Sequence, residues 1–193
     1  MDVFFACSAA ALNVLASIYY VRSVVDGSAR PNRVTWLLWA IAPLIAAAAQ
    51  FASGVGISTL VILASGLLPL SVLVASFLNP SAYWKLTGFD YLCAGFSALA
   101  LLLWALTRDA IIAIILSIVS DFLAALPTLR KCYTDPATED RRTYLIFFSS
   151  TLLGMFSITD GSFVGYAFNL YLLFITFVMT VTLYRDRLTA FLR

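Results

Sequence analysis

The stretch RPNRVTWLLWA, residues 30–40, lies between two apolar runs and returns in altered form as TEDRRTYLIFF, residues 138–148. Sliding the chain 108 positions along itself lays the first stretch on the second without a gap: Arg22 meets Arg130, Arg33 meets Arg141 and Thr35 meets Thr143. Asn32 falls on Asp140, Trp36 on Tyr144 and Trp39 on Phe147. Identity across the window is modest, and what repeats is a chemical order. A capping side chain and basic residues precede a threonine and two aromatics one helical turn apart.

The rest of the chain says where such a repeat must live. Of its 193 residues 62% are apolar and 11% charged, and the mean hydropathy is +0.96, far above what a soluble domain tolerates. Turn-rich fragments divide it into seven apolar runs, at about 3–24, 34–52, 57–78, 89–106, 110–130, 143–158 and 162–184. Runs of this length match helical crossings of a bilayer and not the short alternating strands of a membrane barrel. The expected fold is therefore all-α and polytopic, with seven transmembrane helices. The first run lacks a basic segment ahead of it and reads as a retained span, not a cleaved signal.

Orientation follows from the basic residues, because Lys and Arg collect on the cytoplasmic side. With the N-terminus outside, eleven of the twelve fall in inner segments, among them Arg22, Arg30, Arg33, Lys85, Arg130, Lys131, Arg141, Arg142, Arg185, Arg187 and Arg193, and Arg108 alone falls outside. The expected location is a bacterial inner membrane with a cytoplasmic C-terminus. Asn32 is placed to cap the second helix and Asp140 its counterpart, while Gly27 helps to end the first.

The repeat divides the chain into a first three-helix unit (1–79), a linker helix (80–108) and a second three-helix unit (109–193). The single extra crossing leaves both units in the same orientation, related by an axis along the membrane normal, as in one class of transporters. This 3+1+3 layout, with LPTLRKCYTDP closing the fifth helix on the inner side, resembles the SWEET and PQ-loop superfamily of small-solute transporters. The layout is also similar to that of the PnuC-type vitamin transporters. The chain departs from the first family at its Pro-Gln pair, which stands here as Pro127-Thr128 and as Tyr19-Tyr20 in the first repeat. It reads as a divergent member.

Asp121 is the most informative single residue. It sits roughly 13 Å inside the fifth helix at 1.5 Å per residue, and an ionisable group facing lipid there costs at least about 2.5–3.5 kcal/mol. It should face protein or a water-filled cavity. The repeat places Asn13 opposite it at the same depth, so the pair marks either a midplane solute site or a plain interhelical hydrogen bond joining the units. A charged Asp121 could couple transport to protons or hold a cationic solute.

In the last helix Asn169 is a further buried amide, with Tyr166 one turn before it on the same face. The SWEET resemblance implies a substrate contact for Asn169, although the family's partner position in the third helix maps near Val61, which cannot hydrogen-bond. Trp39 and its repeat partner Phe147 are candidates to gate or stack on a solute, as aromatics do in related carriers. Trp36, about 5 Å above Arg33 by helical rise, suits the headgroup level as an interface anchor. Pro43 and Pro69 each remove a backbone donor in mid-span, where kinks arise.

Several functions are disfavoured by what the chain carries. It has no histidine, and Cys7, Cys93 and Cys132 lie far apart, so no metal site, cofactor or disulfide framework is expected. Its two lysines, Lys85 and Lys131, lie in loops, where a retinal protein would need one in the last helix. With one buried acid and no base, an enzyme is not expected. The expectation is a transporter working by alternating access on a small-molecule solute in a lipid bilayer, with no nucleic-acid partner; a homo-oligomer is one option. The competing reading is a non-transporting receptor or assembly protein on the same frame.

Overall fold

The computed structural model describes residues 1–82, 84–107 and 109–191, with the side chains of 104 and 187–191 left out. Arg108 and Arg193, both used above to orient the chain, lie outside the described residues. Seven α-helices run in order: α1 (Asp2–Val25), α2 (Arg33–Ala52), α3 (Thr59–Leu78), α4 (Gly88–Thr107), α5 (Ala110–Thr134), α6 (Arg141–Met155) and α7 (Phe163–Phe191), with one 3-10 turn at Pro136–Thr138. The described residues contain no strand.

Six of these helices are long and apolar enough to cross a bilayer, which marks an integral membrane protein. The exception is α6. Its 15 residues fall short of the roughly 20 that a crossing needs, because the chain turns at Phe156–Ser157 before the apolar run of the sequence is exhausted.

Helix starts follow from local chemistry. Asn32 accepts the backbone N–H groups of Val34 (3.1 Å) and Thr35 (3.3 Å) to cap α2, Asp140 accepts that of Arg142 (3.0 Å) at α6, and Asp109 accepts that of Ile112 (3.0 Å) at α5. Each satisfies an amide that the first helical turn leaves open. Past α1 the chain reverses through Gly27 at φ +81°, a left-handed conformation that glycine adopts without cost.

The helices pack as a ring. In contact order it runs α1, α3, α2, α5, α7, α6 and back to α1, while α4 stands outside against α5 and touches α2. Many of the interior side chains are small: Ala6, Ala9, Ala16, Ala40, Ala42 and Ala46 are fully buried. Large ones such as Phe77, Leu78, Leu106 and Phe174 are exposed on the outer surface, as expected where lipid is the solvent and close backbone approach drives packing. At Gly66 α3 comes close to α2, since a Cβ there would lie 2.8 Å from Leu44 Cγ.

The two ends of the ring differ. One gathers the α1–α2, α3–α4 and α5–α6 connections, tied together by Arg30 N–H to the Thr138 carbonyl (3.0 Å) and by Asn79 to the Val25 carbonyl (2.9 Å). It carries Arg30, Arg33, Lys85 and Arg130, and we refer to it as the basic end. The opposite end joins α2 to α7 through Gln50, whose amide donates to the Val164 carbonyl (3.1 Å).

Candidate functional site

A cavity of about 60 Å³ lies at the centre of the ring, enough for roughly five waters at the 10–15 Å³ that each needs. Every helix but α4 contributes to its wall. Four pairs of its wall residues are related by the 108-residue shift: Asn13 with Asp121, Trp36 with Tyr144, Trp39 with Phe147, and Pro43 with Thr151. Along each helix the rings meet edge to face, Trp36 and Trp39 at 5.3 Å between ring centroids and Tyr144 and Phe147 at 6.5 Å.

The backbone around the cavity obeys the same shift. Thr35 of α2 donates its hydroxyl to the Ala124 carbonyl of α5 at 2.8 Å, and Thr143 of α6 donates to the Ala16 carbonyl of α1 at 3.4 Å. Donors and acceptors alike are 108 residues apart, so one bond is the image of the other.

Asn13 and Asp121 do not hydrogen-bond each other. Asp121, only 2% exposed, accepts from the hydroxyl of Tyr171 in α7 at 2.7 Å. Asn13 is equally buried, and its Nδ2 has no hydrogen-bond partner among the described residues; the same holds for Trp39 Nε1. The interhelical bond weighed as an alternative to a site is thus replaced by a carboxylate held from a third helix and an amide donor left open beside the cavity. Nearby, the Thr151 and Thr176 hydroxyls meet at 3.0 Å.

Toward the basic end the wall thickens into a buried polar layer. Glu139 receives the Lys131 ammonium at 2.8 Å, the Tyr20 hydroxyl at 2.6 Å and the Tyr144 hydroxyl at 3.2 Å. The ion pair is 1% and 0% exposed, and Lys131 also donates to the carbonyls of Arg30 and Thr138. Tyr20 in turn lies 4.5 Å from Trp36 between ring centroids, joining this layer to the cavity wall. Trp36 is fully buried, so it is no headgroup-level anchor: its ring packs inward on Tyr20.

Asn13, Asp121, Trp39 and Phe147 come together at the cavity, whereas Asn169 and Tyr166 do not line it. Asn169 turns its amide back to the Gly165 carbonyl of its own helix at 3.3 Å. Tyr166 is exposed and packs against Phe163. Val61 lies apart in a small cluster with Ala6 and Ala9. A larger recess of about 320 Å³ at the basic end is lined from the α3–α4 connection, α4, α5 and Asp135, outside the ring.

Tyr171, Tyr20, Glu139 and Lys131 are functional candidates that sequence reasoning did not single out. Lys131 and Glu139 sit in a charged segment that reads as a solvated loop, and their burial depends on tyrosines from α1 and α6. Nor does periodicity mark Tyr171, because α7 is apolar on nearly every face. Comparison of the chain with family models, curated proteins and solved structures gives no match.

Proposed function

We propose that the protein is a small-solute membrane transporter in which two parallel three-helix repeats, residues 1–79 and 109–193, rock about the central cavity, with the helix of 80–108 as linker. The observation that carries this reading is the cavity itself: it lies between the halves, and four pairs of its wall residues are related by the 108-residue shift. A midplane site at the junction of two repeats is where alternating-access carriers hold their solute. The like order of contacts, α1–α3–α2 and α5–α7–α6, supports two units of one construction, and so does the SWEET-like layout of the sequence.

In this reading the basic end faces the cytoplasm of a bacterial cell, all seven helices including α6 cross the membrane, and the Lys131–Glu139–Tyr20–Tyr144 layer is the closed inner gate. The cavity binds and releases its solute unchanged.

The test is flux. Purified protein reconstituted in liposomes is expected to carry at least one solute from a metabolite mixture, and Ser65→Phe, which puts a ring into the cavity, is expected to abolish that flux with the fold intact. Folded protein that moves nothing across the bilayer overturns the reading in favour of a receptor or assembly protein.

A further inference from the structure

We propose that the central cavity is a site for a small organic cation of the ammonium type that also carries an oxygen acceptor, such as an amino alcohol. The inference rests on the carrier reading for the location of the solute, and it assigns the chemistry of that solute from the wall.

Charge is the first argument. Asp121 lines the cavity, and the group that bonds it is a neutral hydroxyl, that of Tyr171. No lysine or arginine lines the cavity, and Lys131, fully buried, is committed to Glu139. An ionised carboxylate in such surroundings is costly unless a cation joins it. Either a proton on the carboxyl or a cation arriving with the ligand can supply that compensation.

The kind of cation follows from the rest of the wall. A hard metal ion asks for six or more oxygen ligands, and the described residues hold no cluster of three or more metal-ligating side chains. Instead, the aromatic residues Trp36, Trp39, Tyr144 and Phe147 line the space, and aromatic rings attract weakly hydrated ammonium groups through their quadrupoles.

The oxygen acceptor answers a separate demand. Asn13 Nδ2 and Trp39 Nε1 are buried donors without partners, and a buried donor left unmade is unfavourable. A hydroxyl or carbonyl oxygen on the solute would satisfy one of them. Size restricts the solute further, because space for about five waters suits a compact molecule.

The experiment uses purified full-length protein and calorimetric titration with choline, ethanolamine, tetramethylammonium and 3,3-dimethylbutan-1-ol, the last having the shape of choline without its charge. At least one of the two amino alcohols is expected to bind, and the neutral isostere to bind about tenfold more weakly than choline or not at all. Asp121→Asn, verified as folded by circular dichroism, is expected to lose the preference for charge. Asn13→Ala is expected to weaken the amino alcohols more than tetramethylammonium, which has no oxygen. The proposal is overturned if none of the three cations binds, if the neutral isostere matches choline, or if Asp121→Asn binds as the parent does. Failure of the carrier reading looks different: cations bind with charge preference, but proteoliposomes do not move them. Conversely, flux of neutral solutes without cation binding sinks the cation site and leaves the carrier standing.

Discussion

Arg30 and Thr138 meet through one backbone hydrogen bond, the N–H of Arg30 donating to the Thr138 carbonyl at 3.0 Å, and they occupy the same position in the two halves of the chain. A contact between a residue and its own repeat partner can form only where a two-fold axis passes. In the proposed arrangement of two repeats, their two-fold axis would pass at this bond, beside the Lys131–Glu139 layer, where Lys131 donates to the carbonyls of both residues.

Breaking the paired threonine bonds tests that symmetry energetically. Thr35→Val and Thr143→Val each remove one interhelical hydrogen bond, for which about 0.6 kcal/mol, and at most about 1.7, is usual inside a membrane bundle. Compared in an Asp140→Ala background, which takes away the second partner of the Thr143 hydroxyl at 3.1 Å, Thr35→Val is expected to be the costlier of the two, since its bond is 2.8 Å against 3.4 Å. Reversible unfolding in mixed micelles measures the difference, and equal costs would argue against geometry as the cause.

The buried ion pair gives a sharper result. Lys131→Met leaves Glu139 buried without its cation, which is expected to cost about 3–5 kcal/mol. Adding Glu139→Gln is expected to recover much of that loss, because the neutral amide can still accept from Tyr20 and Tyr144. A double-mutant cycle on thermal unfolding reads the coupling directly.

Two glycines should tolerate no side chain. Gly27→Ala forces an L residue to φ +81° with Ser81 Oγ 3.3 Å from the new Cβ, at a cost of roughly 1–2 kcal/mol. Gly66→Val drives α3 off Leu44 and is expected to cost about 1–3 kcal/mol by overpacking. Melting temperatures of purified protein in detergent check both.

Asn169→Ala is expected to leave solute binding unchanged, since the Asn169 amide bonds its own helix and does not line the cavity. Asn13→Ala, at the wall, is expected to weaken it. A titration in which the two variants behave alike would remove the cavity from consideration as the binding site.

How much of this was legible in the sequence depends on the range of the physics. Helix caps are local, so Asn32 and Asp140 could be read from residue type and position. Asn13, Asp121, Trp39 and Phe147 were legible through the repeat, which turns depth in one helix into depth in another. Glu139 was not, because its donor Tyr20 is 119 residues away and nothing in a run of charges says which of them will be covered. Asn169 fails for a different reason. α7 is apolar on nearly every face, so periodicity cannot tell the side turned to the cavity from the side turned to Gly165. The sixth crossing was read as 143–158, and the helix closes at Met155 because turn hydrogen bonds at Phe156 and Ser157 end it.

The position of α4 makes the two seams of the ring unequal. It lies along α5, where Ser97 meets Ser120 at 2.6 Å, and its Asp90 accepts from the Asn32 amide at the start of α2. The covalent path from the first half to the second also runs through α4. The α2–α5 seam is thus bound like the spine of a book, while the α1–α6 seam is its fore-edge, closed by side-chain hydrogen bonds such as Ser150 to the Ala9 carbonyl at 2.7 Å. Any parting of the halves meets covalent resistance on one side and separable polar contacts on the other.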